Sequence, residues 1–192
     1  MIEFEKKMLL SKDEYEYLIE RFDCKSHSTS STNIKQINYY FDTDDFSMNR
    51  KNITCRIRLK NGKYKATMKQ HSSNSDKSTE TEMEIYDGLK NNAFTNMGLK
   101  LQGSLSTDRY IILKDFNYNV VLDKNEYLGH KDYELEIEYT PEYEKNAKFL
   151  LQMFQNMLMR RKCFLAYQER FSNISNVPNK ANRFFDRKAI VD

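Results

Sequence analysis

The chain has 192 residues, 31 of them basic and 28 acidic, for a formal net charge of +3. That length suits one domain with a sizeable core, here spanning 1–192, and the near-balance of charge argues against a nucleic-acid wrapper, which needs a strong basic excess. The opening Met1-Ile2-Glu3-Phe4-Glu5-Lys6-Lys7 is too charged for a signal peptide and no apolar run approaches the roughly 20 residues that span a bilayer, so a cytoplasmic protein without membrane contact is expected.

Residues 2–10 alternate apolar and charged with period two and read as a strand. Ser11-x-x-Glu14 is a capping box, and Tyr15, Leu18, Ile19 and Phe22 follow at helical spacing, which predicts a helix of about three turns. Residues 25–33 read as a polar loop containing His27, and 36–42 as a strand rich in Tyr, Ile and Phe. Two alternating runs, 53–59 and 63–70, flank Asn61-Gly62, the strongest hairpin signal in the chain. A polar loop is expected over 71–78, a strand over 80–86 and a short helix over 91–99. Strands are expected over 110–113, 119–123 and 132–139, with a turn at 115–118 between the first two. Thr140-Pro141 then opens a helix with Glu142 and Glu144 in its first turn and an apolar stripe from Phe149 to Leu158 that reads as core packing. The tail after Pro178 is basic and aromatic, carrying Lys180, Arg183 and Phe184-Phe185.

Cys24, Cys55 and Cys163 lie far apart, with no spacing that suggests zinc, and read as reduced thiols. No Walker loop or GxSxG elbow is present, and His27, His71 and His130 read as exposed polar residues.

What stands out is the polar face of the strands. Glu3, Glu5 and Lys7 share one face, as do Arg56 and Arg58, Lys65, Thr67 and Lys69, Glu80, Glu82 and Glu84, and Glu134, Glu136 and Glu138. A sandwich with a solvated charged surface is one reading. The other is a closed sheet with its ionic face inward and its apolar face covered by the helices. Rows of like charge make sense there if divalent cations offset the carboxylates and an anion offsets the Arg and Lys groups.

Glu3-Phe-Glu5-Lys-Lys7 matches an ExExK signature, and Tyr40-Phe41-Asp42-Thr43, Arg56-x-Arg58, Thr67-x-Lys69, Glu80-x-Glu82-x-Glu84, Arg109, Asp123-Lys124, Glu134-x-Glu136-x-Glu138 and the tail from Asn179 to Phe184 follow in order. In this the chain resembles the bacterial single-domain branch of the CYTH superfamily, the triphosphate tunnel metalloenzymes. The resemblance implies an α+β fold: a closed antiparallel eight-stranded β-barrel, with a charged interior and flanking helices, that binds triphosphate with Mg2+ or Mn2+. It assigns metal binding to Glu3, Glu5, Glu134 and Glu136, with Glu82, Asp123 and Glu138 as further ligands. Phosphate binding falls to Lys7, Arg56, Arg58, Lys69, Arg109 and Lys180, with Lys65 and Arg183 second. Glu5, Glu136 and Lys7 stand at the reacting centre. Oxygen ligands suit a hard divalent cation, and clustered cations suit a triphosphate.

The expected activity is hydrolysis of inorganic tripolyphosphate or of an organic triphosphate such as a nucleoside or thiamine triphosphate. Two alternatives stand beside it: an adenylyl cyclase forming cyclic AMP and pyrophosphate, and a non-catalytic binder of polyphosphate or nucleotide. A homodimer is compatible with the sequence.

Overall fold

The alternating runs pair into eight antiparallel strands: β1 (Ile2–Leu10), β2 (Thr32–Asp42), β3 (Ile53–Lys60), β4 (Lys63–His71), β5 (Lys77–Ile85), β6 (Lys100–Lys114), β7 (Tyr118–Tyr127) and β8 (His130–Tyr139). In the computed structural model, which describes residues 2–22, 32–72, 76–160 and 177–191, they close into a barrel in the order β1-β5-β4-β3-β2-β6-β7-β8. The hairpin between β3 and β4 turns where expected, with Asn61 and Gly62 at φ 51° and 74°, the paired left-handed geometry of a two-residue turn.

Period two then sorts the side chains. The apolar residues of β1, β7 and β8, among them Met8, Leu122, Leu135 and Ile137, face outward. They are covered by α1 (Lys12–Arg21) and by α3 (Glu144–Met159), through Leu18, Ile19, Leu151, Phe154 and Leu158. The capping box starts α1 as expected: Ser11 Oγ accepts from the Glu14 N–H at 3.2 Å while the Ser11 N–H donates to the Glu14 carboxylate at 2.6 Å. On the opposite wall Phe41, Cys55, Ile57, Ala66 and Ile85 face outward under Phe94 and Leu99. Two apolar shells outside leave the ionic rows inside, so the barrel reading holds and the sandwich does not.

Several local expectations differ. Residues 91–99 form only a 3-10 turn at Thr95–Met97, because Asn91 Oδ1 accepts from the Ala93 N–H at 2.9 Å and competes with helical bonding. The helix after Pro141 begins with a 3-10 turn, Pro141–Tyr143. Strand β6 starts at Lys100, ten residues before the predicted start, because β2 supplies partners from Asp42↔Lys100 to Thr32↔Ile111. Finally, the tail forms α4 (Lys180–Val191), beside the four-residue helix α2 (Ser47–Arg50), where Asn49 Nδ2 donates to Asn182 Oδ1 at 2.8 Å. Part of the predicted 25–33 loop, with His27, lies outside the described residues, as do Cys24 and Cys163.

Helix α4 closes one end of the barrel. Phe184 and Phe185 are buried there with Tyr40, Leu105 and Tyr127, forming an apolar cluster inside the strands. Gly103 is required at this contact. It sits at φ +145°, and a Cβ would lie 2.8 Å from the Phe184 ring.

Candidate active site in the tunnel

The interior is one charged cavity. Glu3, Glu5 and Lys7 reach it from β1, Gln36 and Tyr40 from β2, Thr54, Arg56 and Arg58 from β3, Lys69 and His71 from β4, Arg109 from β6, Glu136 and Glu138 from β8, and Asn179, Lys180 and Ala181 from the start of α4. Register explains the grouping: Glu5 lies opposite Glu138 and Lys7 opposite Glu136 across β1–β8, while Arg58 lies opposite Lys65 across β3–β4.

The acidic wall is compact. One carboxylate oxygen from each of Asp123, Glu134 and Glu136, all buried, lies within 4.8 Å of the others. Such a set of hard oxygen donors fits a divalent cation. The Lys180 ammonium stands among them, at 2.8 Å from both Asp123 and Glu136 and in contact with Glu134. Burial would lower its pKa, but these three carboxylates outweigh that and raise it. Arg109 grips Asp123 in a bidentate pair at 2.7 and 2.8 Å, touches Glu136, and reaches Glu138 at 2.8 Å. Arg183 bonds Asp132 at 2.9 Å and Glu134 at 3.0 Å, tying α4 to β8.

On β1, burial would raise the Glu5 carboxyl, but Lys7 at 2.7 Å and Lys69 at 4.0 Å hold it at about 2. Glu3 pairs with Lys69 at 2.7 Å and hydrogen-bonds Glu80. Burial first, and then that bond to Glu3, push the Glu80 carboxyl up, as expected of two acids sharing a proton. Glu80 also pairs with Arg56 at 3.0 Å. Of the three carboxylates on β5, then, Glu80 rather than the expected Glu82 stands beside Glu3. Glu82 is exposed and bonds Lys65 at 3.0 Å, so that pair lies away from the groups lining the cavity.

Arg58 differs from its neighbours. Its Nε donates to Asn38 Oδ1 at 3.0 Å, and no carboxylate lies within ion-pair distance among the described residues. Burial, then repulsion from Arg56 and Arg109, lower its pKa to about 10.

Gln36, Tyr40, Thr54, His71, Asn179 and Ala181 line the cavity without having been assigned to the site from sequence, and His71 and Tyr40 are the titratable ones. His71 ends β4 rather than lying in an exposed loop, and it lies 3.3 Å from Thr54 Oγ1. Burial and then Lys69 lower its pKa to about 4. The strand's alternation continues from Lys69 to His71, a signal masked by the polar residues that follow. Tyr40 is buried, and its hydroxyl has no hydrogen-bond partner among the described residues.

An eight-stranded antiparallel tunnel, ionic within and apolar without, is the class that this fold and lining define. The chain belongs to the CYTH domain family, whose model matches residues 1–160. It is 32% identical over 169 residues, 80% of this chain and 86% of the relative, to the Bacillus subtilis (strain 168) protein YjbK, which carries a provisional triphosphatase assignment. A crystal structure from Bacillus halodurans, described as a candidate adenylate cyclase, is 28% identical with a TM-score of 0.67, over 95% of this chain and 97% of that one. The Hippeastrum protein HpAC1, a candidate adenylyl cyclase described as having a dominant triphosphatase activity, shares the fold at 20% identity and a TM-score of 0.61, over 81% of this chain and 86% of that one. Among the described residues no helix is long and apolar enough to cross a membrane.

Proposed function

We propose that this chain hydrolyses a triphosphate inside the tunnel, with Mg2+ or Mn2+, releasing orthophosphate. The observation that carries the reading is Arg58, a half-buried guanidinium beside two further guanidinium groups and without an ion-pair partner among the described residues. Burying an unpaired cation is costly, so a site that keeps one fits a ligand that brings several negative charges. The relation to the Bacillus subtilis protein supports the same reaction class.

Arg56, Arg58, Lys69 and Arg109 are arranged to grip non-bridging phosphate oxygens and to spread the charge that develops as the terminal phosphorus is attacked in line by water. Lys7 sits between Glu5 and Glu136 (2.7 and 4.0 Å) and can follow a phosphate oxygen without leaving either. Glu5 stays ionised above a pH of about 2, so it holds cations and does not donate a proton at neutral pH. Asp123, Glu134 and Glu136, with Glu3 and Glu5 from the adjoining strand β1, would hold the divalent ion, which would supply charge neutralisation and acidify a bound water.

The test is incubation of the full chain with Mg2+ or Mn2+ and tripolyphosphate, ATP or thiamine triphosphate. Orthophosphate release that vanishes with chelation is the expected result. Cyclic AMP with pyrophosphate from ATP would mark a cyclase, and binding without turnover would mark a non-catalytic binder; either outcome sinks the proposal.

A further inference from the structure

We propose that the exposed edge of β5, from Thr81 to Ile85, is a docking site for an extended basic segment of a partner protein, which adds to the barrel wall as a further strand. The edge is separate from the groups that line the tunnel cavity and does not depend on the triphosphate reading.

Strand β1 covers only the start of β5. Its register runs Phe4↔Lys77, Glu3↔Ser78 and Ile2↔Thr79, and no described residue pairs with Thr81 to Ile85 on that side. Two bonds fix where the backbone groups of β5 point. The Glu5 N–H donates to the Asp76 carbonyl at 3.1 Å on the β1 side, and the Ser72 N–H donates to the Lys77 carbonyl at 3.1 Å on the β4 side. These directions alternate along an antiparallel strand, so even-numbered residues of β5 face β1 and odd-numbered ones face β4. Thr81, Met83 and Ile85 therefore bond to β4, while the N–H and C=O groups of Glu82 and Glu84 point to the side where β1 has ended. Both residues are exposed. Such a row of open backbone donors and acceptors is what an added strand pairs with.

The side chains select which strand. On its covered flank β5 sets Glu80, Glu82 and Glu84 opposite Lys69, Thr67 and Lys65 of β4, and Thr81, Met83 and Ile85 opposite Met68, Ala66 and Tyr64. Basic and hydroxyl groups thus meet the carboxylate face, and apolar groups meet the other. The open flank presents the same two faces. Glu84 makes no ion pair among the described residues, Glu82 has only Lys65 at 3.0 Å, and Met83 is 53% exposed beside them. A segment alternating Lys or Arg with apolar residues matches both faces, since opposite charges paired across strands stabilise. A second copy of this chain paired edge to edge would instead set carboxylates against carboxylates, which like charge disfavours.

The experiment follows the backbone amides of the full chain by NMR as an end-capped hexapeptide alternating lysine and valine is added. Saturable shifts over residues 81–86, with slower amide exchange at Glu82 and Glu84, are the expected result. Glu84→Pro removes an N–H that faces the open edge and leaves the bonds to β4 in place, so it should weaken peptide binding about tenfold. Glu84→Lys keeps the backbone intact and should weaken it several-fold through like charge. The same peptide with alternate backbone nitrogens methylated keeps its charge but cannot pair as a strand, and should not bind. Equal binding of the methylated peptide, or unchanged affinity in both variants, would overturn the proposal. So would shifts confined to the tunnel groups, or no binding by the unaltered chain. Concentration-dependent dimerisation abolished by Glu84→Pro would give the edge to a second copy and overturn the basic partner.

Discussion

Arg58→Gln separates stability from function in one substitution. Glutamine Nε2 occupies the same place along the side chain as arginine Nε, so the bond to Asn38 Oδ1, 3.0 Å in the structure, can be kept while the charge is removed. The folded chain lowers the Arg58 pKa from 12.5 to about 10, which marks the charged form as disfavoured by burial and by Arg56 and Arg109. At about 1.4 kcal/mol per pKa unit the full drop corresponds to a penalty of roughly 3–4 kcal/mol, which the partial exposure of the side chain screens to about 2 kcal/mol. It is fully present at neutral pH, because both folded and unfolded chains are then protonated, and it is relieved only as pH rises above about 10. Urea denaturation at pH 7 should therefore show the ligand-free variant more stable by roughly 2 kcal/mol, with the slope unchanged. Tripolyphosphate should stabilise the unaltered chain by about 2.7 kcal/mol at a hundred times its Kd, and the variant far less at the same concentration. A variant less stable without ligand, yet equally stabilised by tripolyphosphate, would show that Arg58 serves the fold and not an anion.

Lys180→Met removes the ammonium from among Asp123, Glu134 and Glu136 and leaves buried carboxylates under-compensated, so it should cost about 3–5 kcal/mol. Millimolar Mn2+ should restore much of that loss, and a thermal transition that Mn2+ shifts no more than in the unaltered chain would exclude the trio as a cation site. His71 is neutral when folded down to a pH of about 4 but protonates near 6.5 when unfolded, so stability should fall as pH drops across that window, by up to roughly 3 kcal/mol. His71→Gln should flatten that decline in acid-denaturation curves, and an unchanged curve would mean His71 is solvated. Gly103→Ala should cost about 1–3 kcal/mol and loosen α4, read as faster amide exchange over residues 180–191, because its Cβ would meet Phe184 at 2.8 Å.

Much of the candidate site is legible in the sequence. Alternation placed Glu3, Glu5 and Lys7 on one face and Arg56 and Arg58 on another, because a strand's side chains can only alternate. Depth along the tunnel was not legible. Glu80, Glu82 and Glu84 are equivalent by period, and only the pairing of β5 with β4, together with Glu3 arriving from β1, turns Glu80 into the buried member. The first half of β6 gave little apolar signal, only Leu101 and Leu105, because it is held by backbone pairing with β2 and by the contact of Gly103 with Phe184.

Sequence alone determined the two faces of the barrel and the helices that cover it, since period two and the apolar spacing of α1 and α3 are local properties of the chain. Tertiary structure alone decided that α4 enters one end of the barrel. That brings Lys180 to three carboxylates on β7 and β8 and buries the Tyr40 hydroxyl among cations. The physical reason is that charge compensation and burial depend on which distant residues meet, and no local pattern records that.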